Sequence, residues 1–311
     1  MIDLIPRCWR IRSRGQYNPR HYERQREGWV DPARSMGDSP GAPDARPAMP
    51  RPSSVVILVR QAPDDLEVFM LRRRADAASF ADVYVFPGGT VSPDDYRPVP
   101  SARIFSEDQA YTAFTARGSE PPASRSLALA LWRAGVRELF EETGVLLAVD
   151  AHGLPPAADG SEAARLAADR QRLQRGEISF AEILARWHLS PEFDRLHYFS
   201  HWISPSWMRY RYDTRFFIAA LPQGQTALFA SDEASAGLWI TPRRALGLEG
   251  TPALPLVFPT RKHLERLAAF SRLETLLDFA DRKPVRTVRI PGSPPVDERQ
   301  LQLPPEIAAC W

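Results

Sequence analysis

The most informative stretch of this 311-residue chain reads Arg137-Glu138-Leu139-Phe140-Glu141-Glu142-Thr143-Gly144-Val145. At about 100° per residue, the three glutamates of a helix formed here share one face, and the apolar residues form the opposite face. Like charges one turn apart repel each other, and acids in a last turn oppose the helix dipole. A divalent cation would reverse both penalties, because carboxylate oxygens suit Mg²⁺ or Mn²⁺. The stretch is therefore a candidate metal site, and a solvated acidic face is the alternative interpretation.

A second stretch lies upstream and reads Phe86-Pro87-Gly88-Gly89-Thr90-Val91-Ser92-Pro93-Asp94-Asp95. On its own, Pro-Gly-Gly predicts only a turn. Together the two stretches resemble the Nudix box, G-x5-E-x7-R-E-U-x-E-E-x-G-U, where U is aliphatic. Gly89 takes the first glycine, and the nine residues from Arg137 match the second half without a gap, Gly144 included. Two features depart from the pattern, because Asp95 replaces the first glutamate and the seven-residue spacer is 41 residues long (96–136).

Hydrophobic periodicity and turn residues predict the other elements of the chain. Strands are expected at 55–60, 66–72, 83–86, 145–149, 215–221, 226–230, 238–240 and 285–290. Helices are expected at 126–143, stopped by Gly144, then at 161–175, 179–187 and 260–280. Strands and helices in this mixed order favour a mixed sheet covered by helices.

The interrupted box resembles the coenzyme A diphosphatase group of Nudix hydrolases, which is related to the animal peroxisomal Nudix enzyme. Further stretches similar to that group lie at 70–74, 202–205, 212–217 and 256–264, so the resemblance covers about residues 53–280. It implies an α/β fold, the Nudix α/β/α sandwich around a mixed sheet, with a loop insertion inside the box and a helical addition. The expected domain is 53–290, with the insertion at 96–125 and the addition at 150–200.

The chain ends are expected to be tails. Residues 1–52 are rich in Arg, Pro and Gly without apolar periodicity, which is typical of disorder. A true start at Met36 or Met49, or an arm that binds an anionic partner, is an alternative for this segment. Residues 291–311 carry five prolines and are expected to be extended.

The resemblance implies metal-dependent hydrolysis of a diphosphate linkage in coenzyme A or acyl-coenzyme A, giving 3′,5′-ADP and (acyl-)4′-phosphopantetheine. NADH, ADP-ribose, nucleotide sugars and dinucleoside polyphosphates are alternative substrates. A module that binds a nucleotide without cleaving it is a further alternative, because such modules typically lose box carboxylates and Asp95 is a shortened one.

The same resemblance implies roles for the charged residues of the box. Glu138, Glu141 and Glu142 are expected to hold Mg²⁺ or Mn²⁺, which would neutralise the diphosphate and activate a water. Glu142 is the expected general base, with Glu233 in reserve unless Glu233 is a surface acid. Arg137 is expected to orient a box carboxylate through a salt bridge.

Substrate binding is expected from two groups of residues. Gly88 and Gly89 would let the loop backbone pass close to the metal. Three arginines, which suit phosphate groups, are expected to bind the substrate: Arg74, Arg209 and Arg215. Since 38 of the 40 basic residues are Arg, the alternative is that these three arginines are exposed surface residues without a binding role. The aromatic residues Trp202, Trp207 and Tyr212 are expected to be core residues or to stack on an adenine.

Composition excludes several classes of protein. With 44% hydrophobic and 25% charged residues, wholesale disorder is excluded. No apolar run approaches the roughly 18–20 residues of a membrane helix, and a net charge of +2 makes nucleic acid an improbable partner. The two cysteines, Cys8 and Cys310, favour a reducing cytoplasm, and the chain ends without an S-K-L-type address. The expected partner is a small-molecule diphosphate, and the oligomeric state stays open, with a homodimer among the options.

Overall fold

The computed structural model describes residues 49–311 except 78, 101–104, 158, 230–233, 252, 293–300 and 310. Its strands are β1 (Arg51–Gln61), β2 (Leu66–Arg73), β3 (Tyr84–Val85), β4 (Gly88–Thr90), β5 (Ala148–Val149), β6 (Ser190–Pro191), β7 (His197–Ile203), β8 (Tyr212–Ala220), β9 (Ala234–Ile240) and β10 (Thr287–Arg289). Its α-helices are α1 (Glu107–Thr115), α2 (Arg125–Thr143), α3 (Gly160–Gln174), α4 (Phe180–Arg186), α5 (Pro242–Gly247), α6 (Phe258–Leu267), α7 (Leu273–Arg282) and α8 (Pro305–Ala308). Within these ranges, no helix combines the length and apolar character needed to cross a membrane.

Eight strands form one mixed sheet in the order β10-β7-β8-β1-β2-β3, with β4 also paired to β1 and β9 to β2. β1 is parallel to β8 and antiparallel to β2 and β4. β5 and β6 pair separately as a short two-stranded sheet. The predicted mixed sheet is therefore confirmed.

Alternate side chains of the strands belong to two apolar clusters, because successive residues of a strand point to opposite faces of the sheet. Val56 and Leu58 of β1 belong to the cluster that contains Leu139 of α2. Ile57 and Val59 belong to the other cluster, with the buried side chains of α6 and α7. Helices thus cover both faces of the sheet, as the predicted sandwich requires.

α2 follows the predicted helix closely. Ser124 caps its first turn by accepting a hydrogen bond from the Leu127 N–H at 3.0 Å. Trp132 packs on Phe217 of β8 with ring centroids 4.7 Å apart. Gly144 ends the helix in the left-handed conformation, with φ of 76°. This helix could be predicted because its signals are local: a strong apolar stripe along one face and a glycine at its C-terminal end.

The box insertion is more ordered than predicted, because it contains α1. Ser106 and Gln109 form a capping box at the start of this helix. Phe114 is fully buried and packs edge-on against Tyr198 of β7, with ring centroids 4.7 Å apart. The sequence missed α1 because this helix buries only two residues, Ala110 and Phe114, so its apolar pattern is weak.

Three other predicted segments are corrected. The helix predicted at 260–280 is two helices, α6 and α7. Between them, the Gln61 amide donates to the Ser271 carbonyl oxygen (3.1 Å) and accepts from the Leu273 N–H (2.9 Å), which satisfies backbone groups where the helix is interrupted. Residues 226–229 form no strand, and pairing at 145–149 is confined to β5. The helical addition was predicted at 150–200, but residues 197–200 already belong to β7.

The structure describes most of the C-terminal tail but little of the N-terminal one. β1 begins at Arg51, just inside the expected N-terminal tail, and residues 1–48 lie outside the described part of the chain. The C-terminal segment contains α8 instead of being extended throughout. Leu301, Leu303 and Trp311 pack against the second apolar cluster.

The insertion is fastened to the end of α7 by Arg117. Its guanidinium donates hydrogen bonds to the carbonyl oxygens of Tyr198 (2.8 Å), Lys283 (3.1 Å) and Ala280. We expect Arg117→Ala to lower the free energy of unfolding by about 2 kcal/mol, because three carbonyl oxygens lose a charged donor. Urea denaturation measures the change. Arg175→Ala, which removes an exposed ion pair with Glu177, is the matched control, and equal effects of the two variants would contradict the prediction.

Candidate active site

Arg137 lies at the centre of the box and holds its carboxylates together. It contacts Asp95 with two hydrogen bonds, at 2.8 and 3.0 Å, and is only 7% exposed. The same guanidinium pairs with Glu138 at 2.8 Å and with Glu141 at 3.0 Å. Burial by itself would lower the pKa of Arg137, but the charges of Glu138 and Asp95 outweigh it and raise the pKa above its usual value. The sequence predicted a salt bridge between Arg137 and one box carboxylate, and in the structure Arg137 pairs with three.

Asp95 stands at the box position where glutamate is expected. Its carboxylate is buried, and besides Arg137 it accepts a hydrogen bond from the Ser92 N–H at 2.8 Å. This second bond closes the 3₁₀ turn Pro93–Tyr96. A side chain that caps its own turn suits the shorter aspartate, so the departure from the box preserves an ion pair with Arg137.

The carboxylates of Glu138 and Glu142 both lie against the backbone of Gly88 and Gly89. The Gly88 N–H donates to Glu142 Oε2 at 2.8 Å. A Cβ atom on Gly89 would come within 2.3 Å of Glu138 Oε1. A Cβ atom on Gly88 would come within 2.4 Å of the Ser54 carbonyl oxygen. Each glycine is therefore needed for close approach, and the pair brings the two carboxylates together.

Burial raises the pKa of Glu138 to about 7, and Arg137 lowers it only in part. The charge of the neighbouring Glu141 raises it further. A carboxyl held in this way is destabilised when it ionises, which a nearby cation would offset.

The donor set fits a divalent cation that arrives with its substrate. In the described ranges, no three His, Cys, Asp or Glu side chains are placed to hold a metal ion. Two box carboxylates, Glu138 and Glu142, lie against the glycines, and Glu138 shares Arg137 with Glu141. Mg²⁺ commonly takes one or two protein carboxylates and completes its shell with substrate phosphates and water. Two carboxylates without a closed protein cage match that mode of binding.

A cavity of about 380 Å³ opens beside these glycines. Its charged lining consists of Glu138, Arg51 and Arg73. The rest of its wall is largely apolar and aromatic, and the large side chains there include Phe80, Phe86, Trp202, Trp207, Met208, Tyr212, Phe216, Phe258, Ile290 and Leu301. Trp202 is also buried in the core, as one of the two interpretations expected, and its stacking on an adenine stays a prediction.

The three arginines predicted to bind substrate do not line this cavity. Arg74 forms an exposed pair with Asp76 at 2.9 Å, and Arg209 lies over the ring of Tyr210 at 5.3 Å. Arg215 is buried against Asp213 and donates to the Glu120 carbonyl oxygen at 3.0 Å. Its position follows from strand alternation, because Thr214 and Phe216 face the cavity and Arg215 faces the opposite side.

The arginines that reach the cavity are Arg51 and Arg73. Arg73 was one of three consecutive arginines without a distinguishing signal, and Arg51 fell in the predicted tail. Arg73 Nε donates to the Ser79 carbonyl oxygen at 3.2 Å, and no acidic side chain in the described ranges forms a salt bridge with Arg73 or Arg51. Both guanidinium groups can therefore meet an anionic ligand.

The helical addition contributes two residues that the sequence analysis missed. Arg170 and Gln174 of α3 donate to the Glu141 carbonyl oxygen at 3.0 and 2.7 Å. A cation at the carbonyl end of a helix is favourable, so Arg170 stabilises the end of α2 that carries the acids. No motif marks these residues, since the contact depends on how α3 packs. Glu233, the reserve general base, lies outside the described residues.

The model of the NUDT19 Nudix domain matches residues 44–251 of this chain. The chain belongs to this Nudix family. Acyl-coenzyme A diphosphatase NUDT19 of Xenopus laevis is 25% identical, over 69% of this chain and 63% of the relative. The protein of the same name from Gallus gallus is 26% identical, over 70% of this chain and 65% of the relative. The chain thus spans less than two thirds of either relative.

A solved structure agrees with the Nudix fold. The crystal structure of a NUDIX hydrolase from Alicyclobacillus acidocaldarius matches with a TM-score of 0.58 at 22% identity. The match covers 74% of this chain and 96% of the other. The Nudix resemblance and the α/β sandwich predicted from the sequence are both confirmed.

The raised pKa of Glu138 predicts a pH-dependent stability in the metal-free protein. Between the ordinary value of 4.5 and about 7, the folded state holds a proton that the unfolded state has lost. The free energy of unfolding therefore falls as pH rises through this window, by about 1.4 kcal/mol for each unit of pKa difference. Urea denaturation in chelator between pH 5 and 8 measures the slope.

Glu138→Gln removes this titration, so its stability should change less over the same window. Glu162→Gln on the exposed face of α3 is the matched control and should keep the wild-type slope. A wild-type slope retained in Glu138→Gln would contradict the assignment.

Proposed function

We propose that the protein hydrolyses the diphosphate linkage of coenzyme A or an acyl-coenzyme A. The products are 3′,5′-ADP and 4′-phosphopantetheine or its acylated form. The observation that carries the proposal is a cavity that combines the Glu138 carboxylate at the glycine turn, the guanidinium groups of Arg51 and Arg73, and an apolar, aromatic remainder. Such a lining suits a molecule that combines a diphosphate, a further phosphate, a flat base and an apolar arm. The two vertebrate relatives are named acyl-coenzyme A diphosphatases, which supports the same substrate class.

Nudix hydrolases generally need divalent metal ions, and we propose Mg²⁺ or Mn²⁺ here, held by Glu138 and Glu142. When bound, the ion neutralises the diphosphate and lowers the pKa of a coordinated water. Glu138 and Glu141 both pair with Arg137, at 2.8 and 3.0 Å, but of these two Glu138 is the one that lines the cavity. Arg137 meanwhile keeps Asp95 and the last turn of α2 in place.

Glu142 is the proposed general base. Its Oε2 is held by the Gly88 N–H, which orients the carboxylate beside the glycine turn. In this position it accepts the proton of the attacking water, and Glu233 is the alternative base. Arg73 and Arg51 are proposed to bind the phosphate groups, since a guanidinium can donate two parallel hydrogen bonds to a phosphate.

Product analysis by mass spectrometry tests the proposal. The protein is incubated with Mg²⁺ or Mn²⁺ and with coenzyme A, acyl-coenzyme A, NADH, ADP-ribose and a dinucleoside polyphosphate. Release of 3′,5′-ADP from the coenzyme A species above all others is the expected result. Preferred cleavage of another member would replace the substrate, and tight binding without cleavage would favour a sensor.

Glu142→Gln tests the chemistry. Glutamine keeps the acceptor for the Gly88 N–H but cannot take up a proton, so we expect kcat to fall by about 10²-fold or more. The melting temperature should change little. The matched control is Glu177→Gln, an exposed glutamate that pairs with Arg175. Undiminished turnover of Glu142→Gln at saturating Mg²⁺ would remove Glu142 from the site.

Arg73→Ala and Arg74→Ala form a matched pair of neighbouring substitutions. A lost hydrogen bond to a charged group is worth about 1.5–3 kcal/mol, so Arg73→Ala should raise KM for coenzyme A about tenfold or more. Arg74→Ala should leave KM nearly unchanged, because Arg74 pairs with Asp76. Steady-state kinetics with coenzyme A and dephospho-coenzyme A show which phosphate is bound. A larger effect of Arg74→Ala would contradict the assignment.

A further inference from the structure

The C-terminal segment, defined here as residues 301–309 with Trp311, forms part of the cavity wall. Leu301 and Ile290 both line the cavity. Leu303 and Trp311 pack against the apolar cluster to which the cavity residues Trp202 and Phe258 belong. The end of the chain is therefore continuous with the apolar side of the site.

Trp311 anchors this segment. Its ring meets Trp202 edge-on, with centroids 5.4 Å apart, and the Lys283 ammonium lies 5.3 Å from the ring centroid. The indole Nε1–H donates to the Lys262 carbonyl oxygen at 3.3 Å. Ile307, only 7% exposed, adds a buried contact from α8. These contacts hold the segment on the second apolar cluster, against which Leu301 also packs.

The chemistry around Leu301 is apolar. Ile290, Phe258 and Trp202 belong to the same cluster, whereas the charged lining residues are Glu138, Arg51 and Arg73. A diphosphate bound at the glycine turn leaves this side of the cavity for the uncharged part of the substrate. An apolar wall would bury methylene groups there.

We propose that Leu301 limits the length of the acyl chain that the site accepts. This assignment rests on the proposed function, because it places the acyl end of an acyl-coenzyme A against Ile290 and Leu301. In apolar pockets, one methylene more or fewer changes kcat/KM by about 10–200-fold. The size of a single side chain at position 301 is therefore sufficient to set a chain-length preference.

Leu301→Trp and Leu301→Ala test the boundary in opposite directions, with Leu303→Ala as the matched control. Leu303 packs on the same cluster but does not line the described cavity. The full-length variants are assayed for 3′,5′-ADP release from coenzyme A and from its acetyl, octanoyl and palmitoyl thioesters. Leu301→Trp should lower kcat/KM for the long thioesters about tenfold or more relative to free coenzyme A. Leu301→Ala should shift the preference towards longer chains, and Leu303→Ala should keep the wild-type ratios.

The outcomes separate this inference from the proposed function. If the wild type releases 3′,5′-ADP but all variants share its chain-length profile, the boundary assignment is overturned and the hydrolase proposal stands. An equal loss for free coenzyme A and every thioester would mean that Leu301 contacts a part common to all substrates, which also overturns the assignment. If the wild type cleaves none of these compounds, the proposed function fails and the assignment fails with it.

Discussion

The buried guanidinium of Arg137 joins two parts of the box that 41 residues of sequence separate. It binds Asp95 before the insertion and the acids of α2 after it. Removing one partner of such a buried pair leaves an uncompensated charge, which strongly destabilises a protein. One cation shared among three carboxylates also explains how a helix can end in several acids before any metal binds. The site therefore has structural support that does not depend on its ion.

The two additions to the sandwich support opposite parts of this helix. Phe114 of the insertion packs on Trp132 in the middle of α2, with ring centroids 5.6 Å apart. Arg170 of the helical addition reaches the Glu141 carbonyl oxygen at the far end. Burial lowers the pKa of Arg170, while the charges of Glu141 and Glu142 oppose that shift. The insertion thus holds the helix against the sheet, and the addition places positive charge beside its acidic end.

Local patterns in the sequence were sufficient for the β1–β2 hairpin, for α2 and for its stop at Gly144. They could not distinguish among Arg72, Arg73 and Arg74, which are identical in type. In the structure, the pairing of β2 with β9 has a register irregularity between Arg72 and Arg73. Arg72 pairs with Asp82 and Arg74 with Asp76, while Arg73 faces the cavity. Which arginine meets a ligand is decided by pairing between distant strands, and a single sequence contains no signal for that.

The glycine pair explains how the Glu138 carboxylate, from a helix on one face of the sheet, lines a cavity whose wall belongs to the other face. α2 packs with the first apolar cluster, whereas the aromatic cavity wall belongs to the second. Glu138 nevertheless lines the cavity, and it does so beside β4, whose first two residues are Gly88 and Gly89. Any side chain at position 89 would occupy the space of the Glu138 carboxylate. The box thus needs glycine there for its lack of volume, because a side chain would displace the one α2 carboxylate that lines the cavity.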